Sequence, residues 1–173
     1  GNPDAVVVAI PYLLGFQPAQ SLVLMWITAG RLALTQRVDL PEVGLTTEEQ
    51  WAYLEALLHP AWDLQADSVI ACVVVDPPAA EHQSHGNSPF APASASATVG
   101  EAVLWSPLLN ALVDRTTERG VPVLDALQIQ YPRGAAPKWW SYLCRDECCP
   151  PQGREVPESV RVAVAAAFTL EGF

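Results

Sequence analysis

The sequence contains no apolar run near the ~20 residues that a helical membrane span requires. Its most apolar stretch, residues 21–27, is short and stands beside polar side chains. Positive charge is also scarce, with 9 Lys and Arg against 19 Asp and Glu and a formal net charge of −10. Such a surface repels phosphate backbones, which argues against nucleic acid and anionic membranes as partners. The P-loop, the dinucleotide GxGxxG, HExxH and the EF-hand loop are all missing, so the common signatures of nucleotide, zinc-protease and calcium chemistry are absent. No signal peptide is visible, and Gly1 reads as a remnant of processing or cloning. Cysteine is limited to four residues: Cys72 lies in an apolar run and the other three are bunched together. That is not a secreted disulfide framework, and a cytoplasmic chain with thiols or a metal is expected.

What is present suffices for one folded domain. Half of the 173 residues are hydrophobic and only 16% are charged, which places the chain in the globular class without staples. Residues 5–10 (AVVVAI) form a β-branched run between prolines and predict a buried strand. Residues 21–28 and 31–40 flank Ala29-Gly30, a hairpin signal because a tight primed turn needs positive φ. Thr47 with Gln50 fits a capping box for a helix striped by Trp51, Leu54, Leu57 and Leu58. Residues 68–75 read as a central strand covered on both faces. Residues 76–98, rich in Pro, Ala and Ser, read as an exposed loop.

Further on, residues 99–105 predict a helical turn, and Ser106-Pro107 predicts the start of a new helix ending at Gly120. Alternation in the strand over residues 121–130 puts Val123, Asp125, Leu127 and Ile129 on one side. Residues 124–130 and 138–143 suggest a second hairpin, and residues 159–170 suit either a helix or a strand. The expected architecture is α/β, a layered mixed sheet with helices packed on it, in a single domain spanning residues 1–173. The abrupt end at Phe173 suggests a chain cut from a longer one.

The densest chemistry lies in residues 139–153, WWSYLCRDECCPPQG. Cys144, Cys148 and Cys149, joined by a His such as His82 or His85, would satisfy tetrahedral zinc, although the spacing is not a paired CxxC set. A disulfide across the turn is equally compatible with that spacing. A nucleophilic thiol would be helped by Arg145 and opposed by Asp146 and Glu147. Three thiols packed beneath Trp139, Trp140 and Tyr142 as small hydrophobes account for the same residues. A triad of Ser21, His59 and Asp39 would rest on composition alone. Arg37 and Asp39, two apart on one strand, project from the same face and suit a polar ligand.

Residues 10–27 (IPYLLGFQPAQSLVLMWI), then residues 30–41 (GRLALTQRVDLP) and the later cysteine segment resemble an actinobacterial domain of unknown function, family 4192. The resemblance implies an actinobacterial source and a longer parent chain, and carries no established activity. The expected function is a non-catalytic ligand- or protein-binding, regulatory module. Its candidate ligand residues are Ser21, Arg37, Asp39, Trp139, Trp140, Tyr142 and Arg145, gathered at one edge of the sheet beside the Leu14-Gly15-Phe16 turn. The alternative is a thiol- or zinc-dependent enzyme using Cys144, Cys148 and Cys149. No cofactor is expected beyond that zinc, the partner is a small molecule or a protein, and homo-oligomerisation stays open.

Overall fold

The computed structural model describes residues 2–42, 44–76, 93–143 and 153–170, with backbone alone over residues 93–104. Six strands form one mixed sheet in the order β2-β1-β3-β4-β5-β6. They are β1 (Ser21–Thr28), β2 (Arg31–Asp39), β3 (Ser68–Val74), β4 (Val123–Gln130), β5 (Lys138–Ser141) and β6 (Arg154–Glu155). The pair β3–β4 is parallel, and the other four pairings are antiparallel. Two helices, α2 (Thr47–Trp62) and α3 (Ala93–Glu118), close one face over a core that includes Leu22, Leu24, Trp26, Val73, Leu58 and Leu112. The opposite face carries α1 (Pro3–Leu14) and α4 (Glu158–Leu170), over Val7, Ile10, Val23, Cys72, Leu127 and Ile129. The layered α/β architecture is therefore as expected. β3 is buried along its whole length, in keeping with a strand covered on both faces.

The first element departs from the sequence reading, since residues 5–10 lie inside α1 and form no strand. Three local features favour the helix over the β-branched preference. Asn2 accepts from the Asp4 N–H at 3.1 Å, Pro3 sits in the first turn where its missing N–H is harmless, and Gly15 closes the end at φ 81°. Pro11 is the obstacle, because it cannot donate to the Val7 carbonyl four residues earlier. The Tyr131 hydroxyl takes over that role, donating to the Val7 oxygen at 2.6 Å. A residue 124 positions away thus makes an interior proline tolerable in α1.

Other boundaries move for similar reasons. The capping box of α2 is Thr46 with Glu49, one residue earlier than expected, and both of its hydrogen bonds are made. Helix α3 runs unbroken through Pro107, so Ser106-Pro107 opens no new helix. The register of β3 and β4 jumps from Val69–Val123 to Ile70–Asp125, a bulge at Leu124 that splits the predicted alternation. Val123 consequently packs on the α2/α3 core, while Leu127 and Ile129 belong to the α1/α4 core. The hairpins β1–β2 and β4–β5 form as read, the first through Ala29 and Gly30 at φ 52° and 74°. Residues 159–170 are helical, the first of their two readings.

Candidate functional site

Strand directions single out one end of the sheet. β1 is antiparallel to β2 and β3, and β4 is parallel to β3, so β2, β3 and β4 all finish at the same end. Ser21 opens β1 there, opposite both Asp39 and Val74, and Lys138 opens β5 opposite Gln130. Carboxyl ends of co-directional strands are where open α/β sheets gather ligands.

Ser21, Arg37 and Asp39 come together at this end, on the α1 face. The buried Ser21 hydroxyl donates to the Ala19 carbonyl at 2.7 Å and accepts from Arg37 Nε at 2.9 Å. Arg37 also donates to Asp39 Oδ1 at 2.7 Å, and its guanidinium lies 5.7 Å from the centre of the Phe16 ring. Every strong group in the cluster has a partner inside it. The Ser21 proton is directed to a carbonyl, and among the described residues no base is hydrogen-bonded to that hydroxyl. The arrangement therefore fastens the turn after α1 to the sheet edge.

The aromatic residues stand elsewhere. Trp139 is buried on the α1 face and its indole N–H donates to Asp4 Oδ1 at 2.7 Å, with Arg154 6.0 Å from its ring centre. Helix α1 thus crosses the strands, from Asp4 beside β5, past Val7 beneath Tyr131, to Phe16 beside Arg37 on β2. Four strand steps separate β2 from β5, about 19 Å at ~4.8 Å per step. The expected single surface is accordingly two separate groups at opposite ends of α1. Trp140 lies against Gly153, where an added Cβ would come within 2.6 Å of the ring and where φ is +82°. The Tyr142 hydroxyl donates to Gln128 Oε1 at 3.0 Å. Arg145, Cys144, Cys148 and Cys149 lie outside the described residues, as do His82 and His85. Among the described residues no group of three or more His, Cys, Asp or Glu is placed to hold a metal ion.

The described buried titratable groups have raised pKa values. Cys72 is fully buried and free, and burial, then the neighbouring Asp125, pushes its thiol pKa up and away from a reactive thiolate. Burial, followed by Cys72, likewise raises the Tyr131 phenol, and burial raises the Asp125 carboxyl. On the opposite face of β4, the Nε2 atoms of Gln128 and Gln130 lack acceptors, and both are closed off from solvent. No ligand reaches them in this arrangement.

Open space lies instead on the α2/α3 face, at residues the sequence reading did not single out. A pocket of about 230 Å³ sits where the connector from β2 meets the middle of α3. Pro41, Glu42, Gly44 and Leu45 form one wall, and Trp105, Pro107 and Leu108 form the other, with Gln50 between them. Gly44 turns the connector at φ +89°. The Tyr53 hydroxyl donates to the Asp39 carbonyl at 2.9 Å and fixes the end of β2 against α2. The available signal was the Pro-Glu-Val-Gly-Leu connector together with a proline inside a long helix, neither of which indicates a cavity without the packing of α2 against α3.

No helix among the described residues is long and apolar enough to cross a membrane. No curated protein matches the chain. The model of a domain of unknown function, DUF4192, matches residues 3–173, and the chain belongs to that family.

Proposed function

We propose that this domain is a non-catalytic, regulatory binding module that takes a small molecule in the pocket between the β2–α2 connector and α3. The pocket itself carries the reading: it opens at the end of the sheet where three strands finish, and it joins apolar walls to a few polar groups. The state of the other polar residues supports it. Ser21 and Arg37 hold one another, Trp139 holds Asp4, and the Cys72 thiol is buried, which pushes its pKa up. Groups so engaged position backbone rather than attack a substrate.

The test is a ¹H–¹⁵N spectrum of the full chain recorded during a screen of small aromatic and aliphatic compounds. Some compounds are expected to shift the Trp105 indole and Gly44 amide signals saturably. Shifts confined to other residues would overturn the reading. So would one equivalent of bound zinc at Cys144, Cys148 and Cys149 together with substrate turnover.

A further inference from the structure

We infer that the ligand of this pocket carries a positively charged amine on an apolar body about the size of one aromatic ring. The inference rests on the pocket being the ligand site and adds the chemical class. The walls supplied by Leu45, Trp105, Pro107 and Leu108 favour an apolar body. Glu42, which is exposed, is the only ionisable side chain of the lining among the described residues. An ammonium group gains from that carboxylate, a neutral group gains little, and a carboxylate is repelled.

The surroundings act in the same direction. Glu48 and Glu49 occupy the first turn of α2, just after the connector that forms one wall of the pocket. The nearest cation along β2, Arg37, sits on the opposite face of the sheet and is held by Asp39 and Ser21. The positive end of α2 offers an anion little, because Thr46 accepts from the Glu49 N–H and Glu49 accepts from the Thr46 N–H. A lining with a carboxylate, and no cation among the described residues, is complementary to N⁺–H donors.

Three matched probes separate the possibilities: 2-phenylethylamine, 2-phenylethanol and 3-phenylpropionate, each titrated into the full chain while the Trp105 and Gly44 signals are followed. The amine is expected to bind tightest, to weaken roughly three- to fivefold in Glu42→Gln, and to weaken further at high salt. Glu42 is a surface residue, so this variant folds. If the alcohol or the carboxylate binds as well as the amine, or Glu42→Gln leaves amine affinity unchanged, the charge assignment is wrong while the pocket stands. If none of the three moves Trp105 or Gly44, both the assignment and the pocket reading fail.

Discussion

The two faces of the sheet use their polar residues over different ranges of the chain. On the α1 face, hydrogen bonds run between distant parts of the chain: Tyr131 to Val7, Trp139 to Asp4 and Arg37 to Ser21. On the α2/α3 face, hydrogen bonds such as Trp26 to Gln36 and Tyr142 to Gln128 join neighbouring strand segments within a largely apolar core, and space stays open beside Glu42 and Gln50. Ser21, Arg37 and Trp139, singled out in the sequence as ligand residues, thus hold a proline-containing helix and the turn after it across the strands. The open pocket lies on the other face, in residues that look ordinary.

The largest effect that probes this difference belongs to Trp26. It is fully buried on the α2/α3 face, edge-on to Trp62 at 6.1 Å, and donates to Gln36 Oε1 at 2.5 Å. Trp26→Ala is expected to destabilise by about 4 kcal/mol in urea unfolding, as truncation of a large core aromatic does. A loss under about 1 kcal/mol would show that this core is loosely packed. On the other face, Tyr131→Phe preserves the ring and removes the donor to Val7. Because the Val7 carbonyl also lacks a helical donor, the expected loss is about 2 kcal/mol, with faster amide exchange along α1. Unchanged exchange in α1 would mean that Pro11 is tolerated without help.

A pH effect comes next. The folded Cys72 thiol pKa is raised by burial and by Asp125, whereas an unfolded thiol ionises near about pH 8.5. Its contribution is therefore complete below that pH and declines as pH rises, because the unfolded state then binds fewer protons. Cys72→Ala is expected to remove about 1 kcal/mol of the stability lost between pH 7.5 and 9.5. The buried phenols of Tyr53 and Tyr131, raised in the same direction, extend the decline above about pH 10. An identical pH profile in the variant would place the titrating group elsewhere. The smallest effect is that of Asp39→Asn, because the Asp39 side chain is 83% exposed. Urea midpoints should then change by no more than about 0.5 kcal/mol in stability, and a larger loss would give the Arg37 cluster a greater role.

Much of this fold was legible because its determinants are local. Ala29-Gly30 specifies the first hairpin, and the unbroken apolar run of β3 specifies a strand covered on both sides. The failures occurred where a distant contact decides. Residues 5–10 have strand-like composition, and nothing near Pro11 announces that Tyr131 will supply its missing donor. The extra residue at Leu124 changes which face Val123 occupies, and only pairing with β3 reveals it. For the candidate site, Arg37 and Asp39 were legible as a pair on one face because strand periodicity is simple. Their separation from Trp139 depends on strand order, and the pocket depends on how α2 and α3 meet. Neither property is written in any short segment.

The most direct test compares two variants for binding of 2-phenylethylamine, measured by titration of the Gly44 amide signal. Arg37→Ala disrupts the α1-face cluster and should leave the affinity unchanged, whereas Leu45→Trp fills the pocket and should abolish binding. Loss of binding in Arg37→Ala with normal binding in Leu45→Trp would contradict the assignment of binding to the α2/α3 face.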